Sequence, residues 1–383
     1  MNIKSPLLLT LSMCAAVAAA LLSAVARSQV PELASSTNVP LGLPELTDDQ
    51  KPKAKLAPLG RKLFFDRRLS FNNTNSCAMC HIESQALTSN QSATAVGMEG
   101  QSLRRNAPSL FNVTYQKHLF HDGRESELST QVWLPILASN EMANPSIGHL
   151  LAKVRGLKDY DGMFESAFSG EGPTMQHVGD AIAAFERTLL SGNSRFDRWY
   201  FAGNKSEFTQ EETAGFELFS GKAGCTRCHT IEKKSALFTD HDFHVTGIGY
   251  YAATAPPPKS WQVQLAPGVI ETVQNKLLDP VSAPRMADTG RFEVTLKSSD
   301  RWAYKTPSLR NVEFTFPYMH NGSLQTLDDV IEFYDRGGLP HDGLGELQPL
   351  GLTGAQKQSL VAFLKTLTGD NVARSGSSAA PSE

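Results

Sequence analysis

Two stretches carry apolar residues at the three- and four-residue spacing of an amphipathic helix: DAIAAFERTLL at 180–190 and QKQSLVAFLKTLT at 356–368. They share a core, AFERTL at 184–189 and AFLKTL at 362–367. Upstream, GRKLFF at 60–65 and GFELFS at 215–220 form a second matched pair. The chain therefore repeats one plan loosely, a leading helix, a long variable middle and a closing helix, and the repeat sets the domains. A further helix is predicted from about Leu327 in LDDVIEFYDRGG, carrying Tyr334 near its end and stopped by Gly337-Gly338. APPPKSWQVQLAPG (255–268) cannot be helical and is predicted to be a surface loop. RFEVT (291–295) is predicted to be a short strand. Mostly α structure with long irregular connections is expected.

The start of the chain follows another pattern. Lys4 precedes the apolar, Ala-rich run Leu7–Leu22, and Ala24-Val25-Ala26 supplies small residues for cleavage. Residues 1–26 read as a secretory signal, which predicts a periplasmic protein. An uncleaved anchor is the other reading, and the run is short for a span. The organisation expected is a domain at 27–200, a second at 201–374 and a loose tail at 375–383.

Composition narrows the class. The chain has 383 residues, 40% hydrophobic and 20% charged, with net charge −3. That balance argues against nucleic acid as a partner, because phosphate binding needs a basic surplus. Of five cysteines, Cys14 falls in the signal. The others form two Cys-x-x-Cys pairs, each followed at once by histidine: CAMCH at 77–81 and CTRCH at 225–229.

CxxCH is the attachment pattern of c-type haem. Cys77, Cys80, Cys225 and Cys228 would form thioethers to the haem vinyl groups, and His81 and His229 would ligate the irons. A redox dithiol expects a βαβ context, which is missing. A zinc site would need both pairs together, yet each pair carries its own histidine. Two covalent haems are the reading carried forward, each within a mainly α, cytochrome c-like domain and near the interface of the two.

What two haems do depends on the sixth ligand of each iron. Two closed irons would make a pure electron carrier, with only low-spin ferric signals. An open iron admits peroxide. On this point RNAPSL (105–110), DGR…Q…P…NEM (122–142) and TPSLRNVEFTFPYMHNGSL (306–324), in this order with the two haem motifs, resemble the bacterial di-haem cytochrome c peroxidases and their MauG-type relatives. The resemblance spans essentially the whole mature chain.

It implies a peroxide-reactive haem on His81 and an electron-transfer haem on His229. Glu141 is then the distal acid/base and Gln131 its companion. Tyr334 occupies the sixth-ligand position of the second haem, where peroxidases have Met and MauG-type proteins Tyr; Met286 and Met319 are the rival ligands. Calcium between the domains falls to Asn106, Thr315 and Pro317. The implied function is reduction of hydrogen peroxide to water with electrons from a small periplasmic donor, a cytochrome c or a blue-copper protein. The alternative is a MauG-type oxidase that modifies a partner protein through a high-valent iron state. A homodimer is compatible with either.

Two departures stand out. His121 replaces the Trp that commonly precedes DGR, and imidazole is a poorer one-electron relay than indole. Met98 falls where peroxidases place a distal His, and no His stands between His81 and His118. The first haem is therefore expected to be permanently open, or weakly capped, and to need no reductive activation. His118, His241, His244 and His341 are expected to be solvated or structural, and DHDFH (240–244) a surface turn.

Overall fold

The structure is a computed structural model. It describes residues 39–375 apart from 101, 257–258, 267–268, 279–286, 340, 342, 344 and 346. The leader at 1–26 and Met286 lie outside the described residues, as does the tail beyond Ser375. The described chain is mainly helical with little strand, and its strands form two two-stranded antiparallel sheets. No helix among the described residues is long and apolar enough to cross a membrane.

The repeat read from the sequence becomes a repeated packing. In the first half, the helices that matter are α1 (Ala57–Phe65), α2 (Cys77–Cys80), α3 (Leu128–Gln131) and α4 (Met175–Glu186). In the second they are α5 (Gln210–Ser220), α6 (Leu327–Asp335) and α7 (Gly354–Lys365). α1 packs on α4, and α5 on α7. Both crossings turn on a glycine. A Cβ on Gly60 would sit 1.7 Å from the Ala181 carbonyl oxygen, and one on Gly215 would sit 1.9 Å from that of Ser359. The bare backbone is what lets each helix pair touch.

The helix starts follow capping chemistry. Thr209, Thr326 and Thr353 each accept a hydrogen bond from the third helical N–H, and the side-chain oxygens of Glu212, Asp329 and Gln356 in turn accept one from the cap's own N–H. Behind the second pair lies an aromatic core with Phe196, Phe219, Phe238 and Phe363 fully buried. Each such ring contributes about 1.5–3 kcal/mol of burial.

The long connections are pinned by matched contacts. Asn112 and Asn311 both take a left-handed φ of 62° and donate their N–H to the exits of the closing helices, at Leu189 and Leu367. The two halves also exchange one bond each: Asn106 N–H to the His320 carbonyl (2.6 Å) and Lys305 N–H to that of His121 (2.8 Å). Arg310, wholly buried, makes a two-pronged pair with Asp197 at 2.9 Å and also bonds the Gly42 and Ala236 carbonyls.

Two local expectations are corrected. RFEVT is no strand: Phe292–Thr295 is one helical turn, closed by Leu296 in the left-handed region. No strand pairs with it, and β-propensity without a partner does not make a strand. The described residues of 255–268 are indeed not helical, but Ser260–Ala266 is no loop: it pairs antiparallel with Val269–Gln274. The alternation in Trp-Gln-Val-Gln-Leu marks the strand, and the prolines before it obscure that pattern. The second sheet joins β1 (Phe243–His244) to β2 (Tyr304–Lys305).

Candidate active site

At the first motif, His81 caps α2 and its N–H returns to the Cys77 carbonyl at 2.9 Å. Its ring Nδ1 lies 3.0 Å from the Leu87 carbonyl, with the Pro108 carbonyl also in reach. An Nδ1–H donated to a carbonyl leaves the Nε2 lone pair free and fixes the ring, the outer-shell arrangement of a metal-bound histidine. Burial pushes the imidazole pKa down, so it stays neutral, as a ligand must.

The second motif repeats this arrangement. His229 Nδ1 lies 2.8 Å from the Phe238 carbonyl, with Pro307 also in reach, and burial lowers its pKa too. The supports are duplicated: Thr88 Oγ1 to Ala107 and Ser109 Oγ to Ala86 in one half, Thr239 Oγ1 to Thr306 and Ser308 Oγ to Leu237 in the other.

All four cysteines are free and half-exposed. Burial nevertheless pushes the thiols of Cys77, Cys80 and Cys225 up to about 12. Neutral thiols and a neutral imidazole with a free Nε2 are the donor set for covalent haem, so both motifs fit the group.

Glu141 approaches the first motif from the NEM turn. That turn is fixed by Glu141 N–H to Ala138, Met142 N–H to Pro135, and Asn144 Nδ2 to Leu69. The Glu141 carbonyl accepts from Asn75 Nδ2 and from the Met98 N–H, each at 3.1 Å. Its carboxyl acts electrostatically on both Cys77 and Cys80. Burial raises its pKa, and the Arg124 cation partly opposes the rise. Gln131, at the end of α3, is half-exposed, and no hydrogen bond joins it to Glu141 among the described residues. Met98 is buried and holds the NEM turn through its backbone. Arg124 was not singled out from the sequence. It pairs with Asp122 and lies 3.5 Å over the Phe120 ring.

Tyr334 lies near the end of α6, and Cys225 and Cys228 both raise its pKa on top of burial. The hydroxyl therefore faces the second motif and is held as a protonated phenol. The rival Met319 sits at a backbone φ of 70°.

At the junction of the halves, Asn106 gives its side-chain amide to the Ala93 carbonyl, and its own carbonyl takes His121 Nε2 at 3.0 Å. Thr315 turns its hydroxyl to Val312, and Pro317 is buried. No hydrogen bond links these three residues among the described ones. Burial lowers the His121 pKa to about 4, so the ring is neutral. His320 is stacked on Tyr304, centroids 3.5 Å apart. Arg105 bonds both Asp122 and Asp288 and clamps the same junction. His121 acts electrostatically on His320 across this junction, and the match of HDG at 121–123 with HNG at 320–322 was the available signal that both lie there.

DHDFH is more buried than the surface turn expected. His241 is only 8% exposed, and His244 Nε2 bonds Asp240 at 2.8 Å. Cys228, Asp240 and His244 cluster closely enough for a metal, but Cys228 already belongs to the second haem motif. The buried setting comes from β1 pairing with β2, a contact over 60 residues that no local pattern announces.

Two matched haem-binding motifs, one faced by a half-buried carboxyl and the other by a tyrosine, define a two-haem oxidoreductase. The family model for di-haem cytochrome c peroxidase matches residues 54–206. MauG of Methylorubrum extorquens is 33% identical over 82% of this chain and 78% of its own. Cytochrome c551 peroxidase of Nitrosomonas europaea is 33% identical over 83% of this chain and 81% of its own. Among solved structures, a MauG-like protein associated with microbial copper homeostasis superposes with a TM-score of 0.68 at 27% identity, covering 88% of this chain and 95% of its own. A di-haem peroxidase from Burkholderia thailandensis shares the fold, with a TM-score of 0.68 at 24% identity over 88% of this chain and 96% of its own. The chain belongs to the di-haem cytochrome c peroxidase family, whose members include MauG proteins, and is an oxidoreductase acting on peroxide with two c-type haems.

Proposed function

We propose that the chain reduces hydrogen peroxide to water at the His81 haem, with electrons delivered through the His229 haem from a small periplasmic donor protein. One observation carries this reading: the half-buried Glu141 carboxyl acts electrostatically on both Cys77 and Cys80, while His81 turns Nδ1 to the Leu87 carbonyl and keeps Nε2 for a ligand. The haems are taken to sit at residues 77–81 and 225–229, one in each of two cytochrome c-like domains at 27–200 and 201–374.

Bound haem iron supplies an electron reservoir and a coordination position for peroxide. The residues supply the proton chemistry. Glu141 takes the proton from the near peroxide oxygen and returns it to the departing one, so that water leaves rather than hydroxide. Its raised pKa suits a group that must hold and release a proton in one cycle. Arg124 beside it keeps the ionised form reachable. Gln131, on the adjacent helix end, orients the oxidant by its amide. Asn106, Thr315 and Pro317 are proposed to hold calcium at the junction.

The test is peroxide-dependent oxidation of a reduced small cytochrome c by periplasm-matured protein. Rapid turnover supports the peroxidase reading. Tyr334 favours one second reading, oxidation of a protein substrate, because an anionic phenolate disfavours uptake of electrons from a mild donor. Slow donor turnover with covalent change in a partner protein would support that reading instead.

A further inference from the structure

One buried acid is left over by this mechanism. Glu186 closes α4, is 5% exposed, and has Oε2 wholly buried without a hydrogen-bond partner. It sits behind the first haem motif, and its charge is felt by Cys77. Phe185, the neighbouring residue, packs on Phe64 and Phe65 of α1.

The duplication supplies an internal control. Gly60 meets Ala181 as Gly215 meets Ser359, so the two closing helices align at the contact itself. In that alignment, AFERTL over AFLKTL, Glu186 falls on Leu364. Leu364 is 5% exposed and belongs to the second core. The fold thus accepts an apolar side chain at this position. An unpaired buried carboxyl is the costlier choice, and only the first half makes it.

We infer that Glu186 is a proton-carrying site coupled to the charge of the His81 haem. Uptake of one electron by that haem, from the donor named above, is balanced by uptake of one proton from solvent onto the Glu186 carboxylate. Loss of the electron releases the proton. This rests on the two-haem peroxidase reading.

The electrostatics around Glu186 are spare. Burial pushes its pKa up to about 8, and Arg187 on the same helix end is the cation that opposes the rise. On α1, Lys62 is paired with Asp159, and Arg61 lies over the Phe65 ring. On α2 the neighbours are the Cys77 and Cys80 thiols. On α3, which packs against α4, Glu127 at the start is exposed. Glu141 acts on the same Cys77 and is the other carboxyl facing that motif. A group already balanced near neutral pH responds to one unit of charge on a neighbouring haem.

The experiment uses the haem-loaded full chain. Staining the denatured chain for covalent haem comes first, and absence of pigment overturns both the peroxidase reading and this one. With haem present, optical redox titrations at pH 6 to 9 follow each haem separately. Within the titration window, the oxidised-to-reduced ratio of the His81 haem at fixed potential should rise up to tenfold per pH unit, about 59 mV for one electron. Glu186→Leu, copying the second half, and the isosteric Glu186→Gln should both remove that slope. Glu141→Gln should keep it. A wild-type trace without slope, or the same slope in both Glu186 variants, overturns the proposal and leaves the peroxidase reading standing.

Discussion

Replacing Glu141 by Gln keeps the side-chain shape and removes a carboxyl that acts on both Cys77 and Cys80. The amide retains hydrogen bonding but cannot accept the peroxide proton. A positioned acid/base is worth about 10²–10⁴ in rate, or roughly 2.7–5.5 kcal/mol of barrier. The expectation is a fall of that size in kcat/KM for peroxide, with the haem spectra unchanged. The pH profile should change with it. Burial raises the Glu141 pKa, so wild-type activity should climb with pH through a midpoint above that of an ordinary carboxylate, and the variant should lose that limb. The backbone bonds of the NEM turn do not involve the carboxyl, so the loop should persist. Stopped-flow mixing with peroxide across pH 4 to 9 measures both effects. A variant within threefold of wild type, with the same pH limb, would refute the reasoning.

Three other expectations follow from separate contacts. Tyr334→Met exchanges a phenol for a thioether facing Cys225 and Cys228; it should raise the midpoint potential of the second haem by on the order of 100 mV, within the roughly 0.8 V that axial ligands span, and an unmoved potential in redox titration would remove Tyr334 as a ligand. Arg310→Met leaves Asp197 buried without its two-pronged partner, which should cost about 3–5 kcal/mol in urea unfolding; a loss under 1 kcal/mol would contradict that. Relative to wild type, Glu186→Leu should gain stability progressively from about pH 4.5 up to about pH 8, with no pH dependence of the difference below pH 4.5. The folded chain holds the Glu186 proton more tightly than the unfolded one, so wild type loses stability across that window, by about 1.4 kcal/mol per pH unit at most. Unfolding midpoints of the two proteins at pH 4, 6 and 8 check the sign.

The sequence by itself determined the parts whose chemistry is local. The two CxxCH motifs name their own function, because two thiols and an imidazole within five residues leave little else to do. The closing helices of the repeat were legible from apolar spacing and the leading ones from the matched GRKLFF and GFELFS segments, and Gly337-Gly338, both with φ of 83°, stop α6 where expected. What only the tertiary structure decided depends on partners far along the chain. Ser260–Ala266 becomes a strand because Val269–Gln274 lies beside it, and RFEVT becomes a helical turn because nothing does. The approach of Glu141 to Cys77, and of Tyr334 to Cys225 and Cys228, is set by how the NEM turn and α6 pack against the motifs, which spacing cannot express. Glu186 reads in one dimension as a polar residue on an amphipathic helix. Its burial without a partner emerges only when α4 is laid on α1, since desolvation is a property of the packed volume and not of the residue.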